Sequence, residues 1–210
     1  MSLVMKKISS KIQKKIDNIE RLQSQIKDWK EKKEEEIQFL LKEFEKTPRD
    51  EGSECYTKYF TDNHFANILV EIGNTYPNNL KISLYVVSAL GMMMWRYRLK
   101  ETEEIYQLMI DNSQKKNVAP YVAIYLPKME KFTDYPDKWS YFMSIRRMTP
   151  KKVAETKFID LIEQNIEEMP SKFKAEVYDY FTEKYNLANN DYSRNRYLSM
   201  INKLKDTEII

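Results

Sequence analysis

The stretch ISLYVVSALGMMMWRYRLK, residues 82–100, decides the fold of this chain. Its first part, Ile82 to Trp95, is the longest apolar run without a charged residue in the sequence. This run is shorter than the roughly 20 apolar residues that a membrane-spanning helix needs. It therefore predicts a helix buried in the core of a folded protein, and the sequence predicts no association with a membrane.

The end of that stretch, MMMWRYRLK at residues 92–100, suits either a binding surface for nucleic acid or the last turns of a buried helix. Successive residues of a helix are turned by about 100°, so Arg96 and Arg98 point roughly 200° apart and cannot form one patch. We therefore expect Trp95 in the core, Arg96 extended toward solvent, and Arg98 paired with Glu101.

The scarcity of glycine favours helices throughout the chain. Only three glycines occur in 210 residues, and glycine is the residue that tight turns and β-hairpins most often require. The fold class is therefore predicted to be all-α, with little or no β structure. One segment, residues 118–132, is rich in β-branched and aromatic residues and suits a short strand as well as a helix limited by proline.

The N-terminal segment has the pattern of one long amphipathic helix. Between Ile8 and Phe44 the apolar residues recur mostly three and four positions apart, which predicts a helix over residues 1–46 that would permit a coiled-coil contact and a homodimer. The charged segment KEKKEEE would be its solvated middle. Proline, glycine and charge collect in residues 47–54, which predicts a linker, followed by a helical body over residues 55–210.

Four helices are predicted in the C-terminal third from capping residues and prolines. They are expected to begin near Pro136, Pro150, Ser171 and Asp191 and to end near Met148, Met169, Leu187 and Lys205. Because short connections join them, neighbouring helices should pack antiparallel, as a bundle or a short α-solenoid.

Several kinds of chemistry are missing from the sequence. It contains no glycine-rich phosphate-binding motif, one histidine, His64, and one cysteine, Cys55. We therefore predict no catalytic residues, no cofactor and no metal site. A single cysteine suits a reducing compartment, and charges begin too early for a secretory signal, so a cytoplasmic location is expected.

Paired arginines are the only feature of the sequence that points to a binding site. Six of the eight arginines occur as close pairs. Because the guanidinium fork matches a carboxylate or a phosphate with two parallel hydrogen bonds, the candidates for contact with a partner or an anion are Arg146, Arg147, Arg194 and Arg196.

Two functions fit these observations. The first is a non-enzymatic helical interaction module that binds a protein partner through a surface rich in Tyr, Met and Arg, which are residues typical of interface centres. The alternative is a helical module for RNA or DNA, in which arginines and lysines contact phosphates and aromatic side chains stack on bases.

Overall fold

The protein is all-α in a computed structural model, which describes residues 9–50 and 52–206. These residues form eleven α-helices and a few single 3-10 turns, and they contain no strand. The predicted fold class is confirmed. The chain divides into two compact units: unit 1 comprises Met1–Tyr135 and Met148–Pro150, and unit 2 comprises Pro136–Arg147 and Lys151–Ile210.

Unit 1 contains seven of the α-helices in the described part of the chain. They are α1 (Ser10–Lys27), α2 (Glu34–Asp50), α3 (Thr57–Phe60), α4 (Asn63–Thr75), α5 (Leu80–Tyr97), α6 (Glu103–Asn112) and α7 (Ala119–Tyr125). Unit 2 contains the other four, which are α8 (Lys138–Ile145), α9 (Lys151–Asn165), α10 (Ser171–Leu187) and α11 (Asp191–Asp206).

Helix α5 is the centre of unit 1, as its apolar sequence predicts. It begins where the Asn79 side chain accepts hydrogen bonds from the backbone N–H groups of Lys81 and Ile82, at 3.0 and 3.1 Å, the usual arrangement of an N-cap. It packs against α2, α3, α4, α6 and α7. Apolar side chains are buried on most of its faces, so α5 needs no amphipathic pattern.

Residues 10–50 form two helices that contact each other, α1 and α2, instead of the single helix expected over residues 1–46. The chain turns between them at residues 28–33, where the charged segment KEKKEEE begins. Trp29 lies buried at this turn, with its ring 6.1 Å from that of Tyr76. Folding back lets the apolar stripes of both helices become buried within unit 1, which a straight helix would leave exposed. Residues 1–8 lie outside the described part of the chain.

The linker expected at residues 47–54 begins inside α2, which continues to Asp50. A proline inside a helix leaves the carbonyl group four residues earlier without its N–H donor. At Pro48 that carbonyl belongs to Phe44, and the Thr47 hydroxyl donates to it at 2.7 Å. The side chain therefore replaces the missing donor, and α2 passes through a sequence that otherwise resembles a linker. Glu51 lies outside the described part.

Residues 118–132, which the sequence left open between helix and strand, are helical. Helix α7 occupies Ala119–Tyr125, and two 3-10 turns follow at Leu126–Lys128 and Glu130–Phe132. Pro120 occupies the first turn of α7, where no N–H group is needed.

Unit 2 agrees with the helices predicted for the C-terminal third. Helices α10 and α11 pack against each other and are joined by three residues, 188–190. The Asn190 side chain caps α11 by accepting from the Ser193 N–H at 2.8 Å. Residues 207–210, part of the body predicted over 55–210, lie outside the described part. The choice between a bundle and a solenoid stays a prediction.

Among the helices of residues 9–50 and 52–206, none is both long enough and apolar enough to cross a membrane.

Candidate functional site

The end of α5 and the residues after α7 form a groove of about 370 Å³ in unit 1. We call it the Trp95 groove, and its walls include Met94, Trp95, Arg98, Tyr125, Lys128 and Met129. Gly91 makes the close approach of these segments possible, because a Cβ atom there would lie 2.2 Å from the Tyr125 ring. The volume is within the range of small-ligand pockets, and it suits one or two side chains of a partner.

Trp95 lies at the surface of this groove and not in the core, so the expectation for this residue was wrong. Its side chain is 52% exposed. The buried stripe of α5 passes through Leu90, Met93 and Tyr97, and Trp95 is about 200° from Met93 on the helix. Trp95 therefore faces away from the core, although most residues of the run in which it occurs are buried.

The two neighbouring arginines do point to different surroundings, as the helical geometry predicts. Arg96 donates to the backbone carbonyls of Pro48, at 3.4 Å, and of Arg49. These carbonyls belong to the last turn of α2, where helices leave acceptors unpaired. Arg96 therefore joins the end of α2 to α5, which is a structural role.

Arg98 ends α5 in a left-handed conformation, with φ at 65°. Glycine usually occupies this position after a helix, because an L-residue there is strained by roughly 1–2 kcal/mol. The Arg98 side chain is exposed, and it forms neither a hydrogen bond nor an ion pair with any residue in the described part of the chain. Strained residues that persist often belong to functional sites, so Arg98 is a candidate.

The expected pair between Arg98 and Glu101 does not form. Glu101 instead accepts hydrogen bonds from the backbone N–H groups of Glu130 and Lys131, at 2.8 and 3.2 Å. The ammonium group of Lys128 lies over the Trp95 ring, 4.3 Å from its centroid, in cation–π geometry. Two cations therefore lie at the groove, and the Glu101 carboxylate beside them already accepts two backbone hydrogen bonds.

Unit 2 holds the four arginines that the sequence singled out, and it divides them into two separate arrangements. Arg146 forms an ion pair with Glu176 of α10, and the exposed guanidinium of Arg147 lies 3.7 Å from the same carboxylate. These two side chains line a cleft of about 400 Å³ together with Lys151, Glu155, Tyr180 and Lys184. The structure thus brings Arg146 and Arg147 together.

Arg194 and Arg196 have partners within unit 2. Arg194 donates to the Ala188 carbonyl at the end of α10, at 3.0 Å, which explains how a cation is accommodated in the first turn of α11. Arg196 reaches α9, where its guanidinium contacts Asp160 at 2.9 Å and Glu163 at 3.1 Å. Both arginines join helices of unit 2. Their guanidinium groups already have partners, whereas that of Arg98 does not.

Two pKa shifts accompany these contacts. Burial favours the protonated form of Asp160, but hydrogen bonds from Arg196 and Lys157 outweigh it, and the pKa of this carboxyl is lowered. Burial, together with the charge of Glu155, raises the pKa of Tyr180. The Tyr180 hydroxyl therefore keeps its proton and donates to Glu155 at 3.3 Å.

Cys55 and His64 both lie at the surface of unit 1. The Asp62 side chain accepts from the His64 backbone N–H at 2.9 Å, as the N-cap of α4. Groups of three or more His, Cys, Asp or Glu side chains that could hold a metal ion are absent from residues 9–50 and 52–206.

Sequence reasoning missed Lys128, Met129, Lys151 and Lys184 as residues of the two clefts. Lys151 follows Arg147 by four positions, which was a usable signal for a basic cluster. The sequence around Lys128 and Lys184 carries no such signal. Packing between segments that are distant in sequence brings Lys128 to the Trp95 groove and Lys184 to the cleft of unit 2.

Comparison with models of known protein families gives no match, and comparisons with curated protein sequences and with solved structures give none either.

Proposed function

We propose that the protein is a non-enzymatic helical interaction module that binds an acidic, apolar segment of a partner protein in the Trp95 groove. The observation that carries this proposal is the half-exposed Trp95, fixed beneath Lys128 and beside the unpaired Arg98. Trp and Arg are the side chains most often found at the energetic centres of interfaces.

The chemistry of the groove defines the partner segment. Trp95, Met94 and Met129 offer an apolar wall, and methionine adapts its shape to different side chains. Arg98 and Lys128 make the rim positive, while the Glu101 carboxylate is occupied by two backbone donors. An apolar side chain next to Asp or Glu therefore complements the groove, with the carboxylate placed on Arg98.

Nucleic acid is the second candidate, because the cleft of unit 2 carries four cations, Arg146, Arg147, Lys151 and Lys184. It ranks below the first, since Glu176 pairs with Arg146 and Glu155 pairs with Lys184, which offsets half of this positive charge. A homodimer through α1 has less support than the sequence suggested, since the apolar stripe of α1 is buried within unit 1. The cytoplasmic location stays a prediction.

Selection from a library of random peptides tests the proposal directly. Wild-type protein should enrich peptides that place Asp or Glu next to a large apolar residue. Synthetic copies of the enriched peptides should bind the Trp95→Ala and Arg98→Glu variants about tenfold or more weakly than they bind wild-type protein. A tenfold loss corresponds to about 1.4 kcal/mol of binding free energy.

Two matched controls locate the effect. Phe39→Ala removes another exposed aromatic side chain of unit 1 that does not line the groove, and Arg147→Glu reverses an exposed arginine of unit 2. Both should bind the peptides normally. Equal losses in Phe39→Ala and Trp95→Ala would exclude the groove. Binding of random oligonucleotides that falls steeply with salt and is lost in Arg147→Glu would favour the nucleic-acid function instead.

A further inference from the structure

The cleft of unit 2 has an excess of positive charge that its own carboxylates do not balance. Four cations surround it, Arg146, Arg147, Lys151 and Lys184, and two carboxylates face them, those of Glu155 and Glu176. Four positive charges and two negative charges leave a formal charge of +2. We call this cleft the basic cleft.

The carboxylates are used by the cations at the sides of the basic cleft. Glu176 pairs with Arg146, and Glu155 pairs with Lys184 while also accepting from the Tyr180 hydroxyl. These contacts join α8 to α10 and α9 to α10, so they fix the shape of the cleft. Neither carboxylate is left to neutralise the remaining two cations.

Arg147 and Lys151 are those remaining cations. The Arg147 side chain is 77% exposed, and its guanidinium lies 3.7 Å from a carboxylate that Arg146 already engages. Lys151 is exposed, and no side chain in the described part of the chain forms an ion pair or hydrogen bond with it. Both side chains line the basic cleft. Two cationic hydrogen-bond donors are therefore available to a ligand in this cavity.

Tyr180 gives this space a firm neutral wall. Its ring packs against Phe158 at 5.0 Å and Phe181 at 5.3 Å in edge-to-face geometry. Because its hydroxyl donates to Glu155, the ring is fixed in position and does not add a negative charge to the cleft.

From the cavity, the uncompensated charge of +2 and the two available cations, we infer that the basic cleft binds a phosphate monoester. Such a group carries a charge of about −1.5 to −2 at neutral pH and three strong acceptor oxygens. Arg147 would hold two of these oxygens with its guanidinium fork, and Lys151 would contact the third. A phosphodiester, with one negative charge, leaves the cleft half neutralised. This inference is independent of the Trp95 groove, which lies in unit 1.

Titration calorimetry of the full chain at low salt tests it with four probes: phenyl phosphate, inorganic sulfate, dimethyl phosphate and a short phosphotyrosine peptide. Phenyl phosphate should bind in a saturable way and about tenfold more tightly than dimethyl phosphate. Its binding should weaken from about pH 7.5 to pH 5, because its second proton binds near pH 6. Sulfate remains a dianion over this range, and its binding should change much less.

Variants assign the binding to the cleft. Replacing Arg147 and Lys151 together by Gln should reduce the affinity for phenyl phosphate about tenfold or more. The matched control replaces Lys152 and Lys203 by Gln, which removes the same charge from α9 and α11 outside the cleft, and it should change the affinity about twofold at most. Circular dichroism should show that both double variants remain folded.

The probes also distinguish the two sources of a monoester. Equal affinities for phenyl phosphate and the phosphotyrosine peptide would indicate a small phosphate ester, and a tighter peptide would indicate a phosphorylated side chain of a protein. Either result supports the site. Absence of binding to wild-type protein, equal losses in the two double variants, or tighter binding of dimethyl phosphate would overturn it.

Discussion

The ammonium group of Lys128 lies 4.3 Å from the centre of the Trp95 ring. A cation over the face of an indole contributes about 0.5–1 kcal/mol when the site is exposed. This contact restricts the ring at the mouth of the groove, so less conformational entropy remains to be lost when a partner binds. A tryptophan that the helical register turned outward thus becomes a fixed part of a binding surface.

Trp95→Ala should change stability little. A half-exposed side chain buries only part of its apolar area, so we expect a loss of about 1 kcal/mol from packing and the lost Lys128 contact. Phe65→Ala, which empties a fully buried position of unit 1, should cost about 3–5 kcal/mol. Urea unfolding of both variants measures the difference, and equal losses would mean that Trp95 belongs to the core after all.

Arg98→Gly should stabilise the protein while weakening the binding of acidic peptides. Glycine removes the strain of the left-handed conformation, about 1–2 kcal/mol, but adds about 0.5–1 kcal/mol of conformational entropy to the unfolded chain. The net gain should lie between zero and about 1.5 kcal/mol, measured by thermal unfolding.

Asn117→Gly is the matched control for the Arg98→Gly variant, which should gain stability and lose peptide binding. Asn117 is the other non-glycine residue of the described chain with positive φ, at 66°, and its side chain lies outside the Trp95 groove. The control should leave peptide binding unchanged. If Arg98→Gly binds the peptides as wild type does, the guanidinium has no role in recognition.

A chain that begins at Ser53 should fail to fold, although the sequence predicts a linker at residues 47–54 before a helical body over residues 55–210. Helix α2 packs along α5, and it buries Ile37, Leu41 and Phe44. Its removal would expose the apolar surface of α5. Circular dichroism and size-exclusion chromatography should show loss of helix or aggregation. A stable monomer with cooperative unfolding would restore the boundary predicted from the sequence.

The contact between Asp160 and Arg196 should make stability depend on pH in the acid range. The folded-state pKa of Asp160 is lowered, so its contribution is complete above the unfolded value of about 3.9 and is lost as the pH falls through the folded pKa. The destabilisation by Asp160→Asn should therefore be largest near pH 7 and shrink toward about pH 3. Urea unfolding at several pH values measures it, and a constant difference would contradict the ion pair.

Arg196→Glu provides a further check on that contact, because it would place a third carboxylate beside Asp160 and Glu163. It should destabilise unit 2, whereas Arg194→Glu, at an exposed position that contacts only a backbone carbonyl, should change stability much less.

The sequence by itself determined the helices and much of the core. The scarcity of glycine, the capping residues and prolines of the C-terminal third, and the apolar run that became α5 are local features. Local features fix secondary structure through backbone hydrogen bonding and helical periodicity. The same reasoning separated Arg96 from Arg98, because that separation depends on helical geometry alone.

Only the tertiary structure decided which faces were buried and which charges were left available. Helix α2 continues through Pro48 because Thr47 supplies a hydrogen bond there, and Trp95 is exposed because the partners of α5 cover its other faces. Arg147 and Arg196 are each the second arginine of a close pair, yet two carboxylates of α9 engage Arg196, whereas Arg147 is 77% exposed and shares Glu176 with Arg146. Burial and ion pairing depend on contacts between residues far apart in the chain, and a linear pattern does not contain those contacts.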